Sequence, residues 1–352
     1  MNPRVFLFPL LLHLLFFVVS AEAQWLKVQT RGMDTNLRSV SVAHTPDEKG
    51  VLVPVVWASG SNGVILKSLD EGKTWQRLHA VEGDTLDFRG IVAFNASRAY
   101  VMSSGEGDKS RIYKTTDGGQ TWKLQYSDSR KEFFLDTIAC VSETQCLALG
   151  DPIDGKFLLL KTSDGEQWHP LATDQMPSAL PAEGAFAASN TCLALSREKE
   201  IYFGTGGPAA RIFHSTDGGL TWTVTRTPVV QGNPSSGVFS ISFDKDTVIV
   251  LGGDYKEPGF SERVAASSLD GGKTWQLAIR QPGGFRSAVA HVDDSRWVAV
   301  GPTGEDITTD YGAHWKHSDS LNLNAVAILD IWTGWAVGDH GTIARFIVNH
   351  KH

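Results

Sequence analysis

Six near-copies of one short motif run along the chain: SLDEGKTW at 68–75, TTDGGQTW at 115–122, TSDGEQW at 162–168, STDGGLTW at 215–222, SLDGGKTW at 268–275 and TTDYGAHW at 308–315. Their aspartates, Asp70, Asp117, Asp164, Asp217, Asp270 and Asp310, are spaced by 47, 47, 53, 53 and 40 residues. Such a period exceeds one rung of a solenoid and suits a four-stranded sheet repeated many times. The flanks agree. A short apolar run precedes each motif (GVILKS, RIYKT, KFLLLKT, ARIFHS, RVAASS, DITT) and another follows it (QRLHA, KLQYS, HPLA, TVTRT, QLAIR, KHS). Further upstream each unit carries an alternating pair such as SVSVAH with VPVVWASG, or SAVAHV with WVAVG. Alternation bounded by Gly, Asp, Asn and Ser reads as strand and turn. Each unit is therefore predicted to be four antiparallel strands, with the motif at the turn between the third and fourth.

Sheets of this kind arranged radially form a β-propeller, which leaves only short edges exposed. Residues 324–346 (NAVAILDIWTGWAVGDHGTIARF) hold three strands of the pattern with no motif after them. Residues 24–28 (QWLKV) resemble the strand that normally follows a motif. The two ends are predicted to share a seventh blade and close the ring, giving an all-β, seven-bladed propeller over 24–348. The repeated Asp then has a structural explanation. It accepts bonds from nearby backbone amides and holds a turn that Gly makes sterically possible. The motif Trp buries a large ring on the sheet while its indole N–H finds an acceptor. A catalytic Asp is needed once, whereas this one recurs in nearly every unit.

The ends carry other signals. A basic start, an apolar run over 5–20 and the small-x-small site Ala21-Glu22-Ala23 predict a signal peptide at 1–23 and export to a periplasmic or extracellular space. No later run is long enough for a spanning helix. His350-Lys351-His352 reads as a loose tail over 349–352. A net charge of −7 without a basic block argues against nucleic acid and anionic lipid as partners. Three cysteines are present. Export permits a disulfide between Cys140 and Cys146 across the turn SETQ, but a four-residue turn would put the two one step out of register on opposite faces. Cys192 reads as a small buried hydrophobe. No metal-ligand spacing occurs, so neither metal nor other cofactor is expected. The sequon Asn95-Ala96-Ser97 matters only in a host that glycosylates exported chains.

The motif resembles the Asp-box, or bacterial neuraminidase, repeat, in which the box lies at the third-to-fourth-strand turn, away from the ligand face. Sialidases add an Arg-Ile-Pro motif near the first blade. The nearest strings here, Leu37-Arg38-Ser39-Val40, Ser110-Arg111-Ile112-Tyr113 and Ala210-Arg211-Ile212-Phe213, lack the proline. Thr333-Gly334-Trp335-Ala336-Val337-Gly338-Asp339-His340-Gly341-Thr342-Ile343 is similar to the signature of photosystem II stability/assembly factor-like propellers, with a weaker version at 58–65. That resemblance spans the chain from residue 24 onward and implies a monomeric, non-enzymatic binding or assembly scaffold. The insert at 174–188 (DQMPSALPAEGAFAA) departs from a plain repeat.

In such propellers the loops leading into the innermost strands share one face with the loops joining strands two and three. Arg38, Arg89, Asp136, Arg286 and Asn324 occupy equivalent leading positions, and Asp151, Asp254, Tyr255, Lys256 and Asp339 lie in the second set. Glu183 of the insert is placed over the same mouth. Convergent arginines suit carboxylate or phosphate groups of a protein, glycan or other anionic ligand. The alternative is that Arg38, Arg89 and Arg286 pair with Asp136, Asp151 or Glu183 and brace the channel. A glycan-active hydrolase or lyase is the competing function, and it needs two carboxylates at a defined separation across one bond.

Overall fold

The computed structural model describes residues 23–80 and 85–348. The predicted leader over 1–22 and the tail over 349–352 lie outside the described residues. Among those described, the chain forms β-strands with two short 3-10 turns, and no helix is long and apolar enough to cross a membrane.

The strands gather into seven sheets that follow chain order. Blade 1 is Leu37–Pro46, Leu52–Gly60, Ile65–Ser68 and Gln76–Leu78, and blade 2 is Phe88–Ala93, Ala99–Ser103, Arg111–Thr115 and Lys123–Ser127. Blade 3 is Leu135–Ser142, Gln145–Ile153, Lys156–Thr162 and His169–Pro170, and blade 4 is Leu193–Leu195, Ile201–Gly204, Arg211–Ser215 and Thr223–Arg226. Blade 5 is Asn233–Asp244, Thr247–Asp254, Ala265–Ser268 and Gln276–Leu277, extended by a two-residue strand, Gly206–Gly207, beside its innermost strand. Blade 6 is Ala288–Asp293, Arg296–Gly301, Gly304–Thr308 and Lys316–Asp319. Blade 7 takes Leu323–Asp330, Thr333–Gly338 and Ile343–Val348 from the C-terminal end and Ala23–Thr30 from the N-terminal end. The closing strand runs antiparallel to Ile343–Val348, with Ala23 opposite Val348 and Thr30 opposite Ile343. The predicted shared blade is present, and its strand begins one residue before Gln24.

There is no single core. Seven apolar layers are each sandwiched between two neighbouring blades. Trp57, Trp297 and Trp335, from the second strands of blades 1, 6 and 7, are fully buried in these layers.

Four of the six box turns are built on the same bonds. In blade 4 Ser215 Oγ donates to Asp217 Oδ1 at 2.8 Å and accepts from Gly219 N at 2.9 Å. Asp217 also accepts from Thr221 N at 2.9 Å and from Thr221 Oγ1 at 2.6 Å. Asp70, Asp117 and Asp270 repeat this pattern. The short box of Asp164 uses the amides of Glu166 and Gln167, and in the worn box of Asp310 His314 replaces the threonine. The indole expectation holds only in part. Trp75 and Trp222 donate to Gly72 O and Gly219 O of their own boxes, and Trp275 donates to Thr225 Oγ1 of the preceding blade. The N–H groups of Trp122, Trp168 and Trp315 are buried without an acceptor among the described residues.

Cys140 and Cys146 form a disulfide. The register expectation fails because the turn is two residues, Glu143-Thr144, with Ser142 opposite Gln145. A bulge at Val141 then brings Cys140 directly opposite Cys146, with Cα atoms 4.0 Å apart. Cys192 is fully buried in the layer between blades 3 and 4.

Two predictions follow from this architecture. Deleting residues 24–30 removes the outer strand of blade 7 and bares the edge of Ile343–Val348, so the truncated chain should aggregate and melt lower. Light scattering and thermal unfolding check this, and an equally stable monomer would refute strand sharing. Hydrogen bonds from Thr121 and Thr221 hold Asp117 and Asp217 down to about 2, below the unfolded value of about 3.9. Their contribution to stability is therefore complete above about pH 4 and lost as pH falls toward about 2. Thr121→Val with Thr221→Val should flatten that acid limb in melting curves taken across pH 2–5.

Candidate functional site

The face opposite the boxes is shaped by a repeated irregularity. In five blades the innermost strand opens with a one-residue bulge, which places Arg38, Arg89, Asp136, Phe239 and Asn324 out of the ladder. A bulge re-aims the side chain at that point. In blades 1, 3, 5, 6 and 7 a carbonyl near the start of the innermost strand also lies close against the second strand. A Cβ at Gly60, Gly150, Gly252, Gly301 or Gly338 would fall within 2.4 Å of such a carbonyl oxygen. That close approach explains why second strands end in Gly, as in WVAVG and GWAVG.

The predicted ring of arginines does not form as an open ring. Residues 187–191 cross this end of the axis. Arg89 Nη1 donates to Ala187 O at 2.9 Å, and Ser189 Oγ donates to Ser287 O of blade 6 at 2.6 Å. Asn190 Oδ1 accepts from Thr137 Oγ1 and Ile138 N of blade 3, and Thr191 Oγ1 lies 2.7 Å from Ser240 Oγ of blade 5. One short segment thus touches blades 2, 3, 5 and 6, and the channel is plugged at the face where the ligand was expected.

The predicted site residues fall into distinct groups. Arg286 is fully buried. Its guanidinium donates through Nε and Nη2 to Asp306 and through Nη1 to Phe285 O and Thr303 Oγ1. Burial lowers its pKa and Asp306 opposes the shift. Arg286 is therefore a brace, and its partner is Asp306 instead of Asp136, Asp151 or Glu183. Glu183 is equally committed. Its carboxylate accepts from Arg211 through Nε and Nη2, from Thr205 Oγ1 at 2.6 Å and from Leu180 N at 2.7 Å. It ties the insert to blade 4 and is not free over the mouth. Arg89 pairs with Asp87 at 2.7 Å. Asp254 accepts from Asn233 Nδ2 and Lys256 N. Burial works against its carboxylate, but these bonds hold it below the usual range.

Asp136 and Asp151 remain. Asp136 is buried, and its Oδ2 has no partner among the described residues. Desolvation drives its pKa well up, Asp151 adds to the rise and Arg89 opposes it. Asp151 is raised by burial too, against a bond from Ala185 N at 3.2 Å. It lines a cavity of about 730 Å³ between blade 3, the insert and Gly206-Gly207. Arg38 differs from the other two arginines because it makes no ion pair among the described residues, and its Nε is buried without a partner. Burial lowers its pKa, Arg89 adds to that, and Asp87 and Asp339 oppose it.

The sequence reading missed the apolar half of this face. Phe186 of the insert stacks on Phe239 with ring centroids 3.7 Å apart, and Phe239 meets Phe285 edge-on at 4.7 Å. Tyr255 stands half exposed beside Phe239 at 6.1 Å. The signal was available. Val238-Phe239-Ser240 occupies the same frame as Leu37-Arg38-Ser39 and Leu135-Asp136-Thr137.

A family model of the BNR/Asp-box repeat matches residues 113–124, the box of blade 2. The chain is a seven-bladed β-propeller, and the match identifies the turn of blade 2 as an Asp-box repeat. A search of curated proteins gives no match to the sequence. Among solved structures, YCF48 bound to D1 peptide superposes with a TM-score of 0.61 at 16% identity, over 93% of this chain and 97% of that one. YCF48 from Cyanidioschyzon merolae gives 0.64 at 14% identity, over 91% and 98%. At these identities the likeness is one of fold, and this propeller shares the whole extent of that fold.

Arg286→Ala strands the buried Asp306 carboxylate and should cost about 3–5 kcal/mol of stability. Arg38→Ala leaves no carboxylate unpaired and should leave the melting temperature nearly unchanged. Denaturant unfolding of the two variants compares them directly.

Proposed function

We propose that this propeller is an exported, non-enzymatic scaffold that binds a peptide segment of a protein partner on the face around Arg38. The observation that carries the reading is Arg38 itself, a charge held half-buried beside Arg89, with no ion pair among the described residues and its Nε buried without a partner. Leaving a guanidinium partly desolvated and unpaired is costly unless something else supplies the acceptor. A peptide carboxylate meets that need in bidentate geometry. Across the mouth, Phe186 and the half-exposed Tyr255, both set against the buried Phe239, offer aromatic surface for the same segment. The YCF48 structure with a D1 peptide is a precedent for a peptide ligand on this fold. A hydrolase would need two carboxylates facing one bond. Glu183 and Asp254 are engaged in structural bonds, and Asp136 is closed off from solvent.

The test uses a fluorescein-labelled peptide alternating Glu and Phe, titrated by anisotropy at several salt concentrations. Arg38→Ala should weaken binding about tenfold at low salt, the scale of one charge-assisted hydrogen-bond pair. The difference should shrink as salt rises. Equal binding by wild type and Arg38→Ala would retire the proposal, as would hydrolysis of glycan substrates by the wild-type protein.

A further inference from the structure

The insert over 174–188 encloses, with blade 3 and Gly206-Gly207, the cavity of about 730 Å³ that Asp151 lines. That volume is within the range of small-ligand sites. The walls are fixed by bonds of their own. Gly184 and Gly206 pair as an antiparallel bridge, and Ala179 N donates to Gly155 O at 2.9 Å. Glu183 is bonded to Arg211, Thr205 and Leu180 N, and Phe186 stacks on the buried Phe239. Pro152, Leu180, Pro181, Phe186 and Pro234 give the lining its apolar surface.

The charge of this lining has one sign. Its charged residues are Glu132, Asp151 and Glu183, and it contains no Lys, Arg or His. Glu183 is matched by Arg211. Glu132 is exposed beside the exposed Lys131, where solvent and salt screen it. Asp151 is half-buried and makes no ion pair among the described residues. Ala185 N donates to its Oδ1, and its Oδ2 accepts no hydrogen bond among the described residues. Burial raises its pKa, and the bond from Ala185 N opposes the rise without help from any cation. Lys156, next to Gly155 of the lining, donates to Met176 O, and Arg89 is engaged by Asp87 and Ala187 O. A half-buried carboxylate without a counter-ion is costly unless a ligand supplies the charge.

The donor set selects the cation. Among the described residues no group of three His, Cys, Asp or Glu side chains could hold a metal ion, so a metal would lack ligands here. With Oδ1 taken by Ala185 N, the two-pronged fork of a guanidinium finds no matching pair of oxygens, whereas an ammonium needs only one. A quaternary ammonium favours a cage of aromatic faces, and Phe186 is the one aromatic residue in the lining. We propose that this cavity binds a primary alkylammonium group, its N–H donors on Asp151 Oδ2 and its aliphatic chain along Leu180, Pro181 and Phe186. The group is carried by a free amine or by a lysine side chain. The site does not involve Arg38 and is independent of the peptide-binding reading.

The experiment is calorimetric titration of the full chain with hexylammonium, hexanol and hexanoate at neutral pH and low salt. Hexylammonium should bind saturably at one site. Hexanol should bind at least about tenfold more weakly for want of a charge-assisted bond, and hexanoate should give no measurable heat. Asp151→Asn keeps an Oδ1 acceptor for Ala185 N, so its melting temperature should not fall. It should weaken hexylammonium by at least about tenfold and leave hexanol unchanged. Arg38→Ala should bind hexylammonium like the wild type. Nα-acetyl-lysine N-methylamide separates the two sources: affinity equal to that of hexylammonium assigns the group to a lysine side chain, and binding at least about tenfold weaker assigns it to a free amine. Absence of saturable hexylammonium binding overturns the proposal. So does hexanol bound as tightly as hexylammonium, or undiminished hexylammonium binding by Asp151→Asn.

Discussion

A box carbonyl reaching back to the preceding blade is the contact on which this ring depends. Glu71 O accepts from Gln29 Nε2 of blade 7, Gly118 O from Lys67 Nζ of blade 1, and Gly165 O from Lys114 Nζ and Tyr100 OH of blade 2. Gly271 O accepts from Tyr202 OH of blade 4. Each acceptor is the residue directly after the box Asp. The Asp therefore acts at one remove, shaping a turn that aims a carbonyl across the interface. Because the core is seven thin layers, no layer is thick enough to fix the angle between its two sheets by packing alone. The boxes of blades 1, 2, 3 and 5 supply a directional bond at the outer end of the layer before each of them, so the motif is used with the blade and not once in the chain.

At the inner end, hydroxyl and amide side chains do the corresponding work. Ser39 accepts from Ile91 N of blade 2, Ser240 from Val289 N of blade 6, and Asn190 from Ile138 N of blade 3. Ser287 Oγ donates to Asn324 O of blade 7, and Asn324 Nδ2 donates to Leu37 O of blade 1. These small polar residues satisfy backbone groups that adjacent innermost strands leave unpaired, since strands of different blades do not share a ladder. The bulges lie next to these bonds. They turn one residue per blade out of the ladder without disturbing the alternation that follows, so the residue at that position is free to vary as Arg, Asp, Phe or Asn.

This division explains what was legible in the sequence. The box and the four-stranded unit are written locally and repeated, so spacing located them, and the same pattern cut at both ends revealed the split seventh blade. The equivalence of Arg38, Arg89 and Asp136 was legible for the same reason. The partners were not, because each ion pair joins residues whose proximity depends on strand register. Arg286 meets Asp306 from the third strand of its own blade, and Glu183 meets Arg211 through the fold of the insert. Asp306 and Arg211 lie in runs that read as ordinary outer strands. The Cys140–Cys146 pair was ambiguous because one bulge residue decides the facing of both side chains. The plug at 187–191 had no signal, since its small polar residues resemble any loop.

The same facts separate stability from recognition on the face around Arg38. Arg286–Asp306 and Arg211–Glu183 are saturated with hydrogen bonds, and such buried pairs hold geometry even where their net energy is small. They fix the segment that leads into blade 6 and tie the insert to blade 4. Phe186 stacks on the buried Phe239, which packs on the buried Phe285, so Phe186 and the half-exposed Tyr255 are held on a rigid frame. Arg38 lies across the mouth from that frame, on the blade that the split ring joins to blade 7 through Asn324. A ligand reaching from the aromatic half to Arg38 would therefore bridge the blades next to the ring's own seam. Its binding energy would add to ring closure, so occupancy and resistance to opening at the seam should be thermodynamically linked.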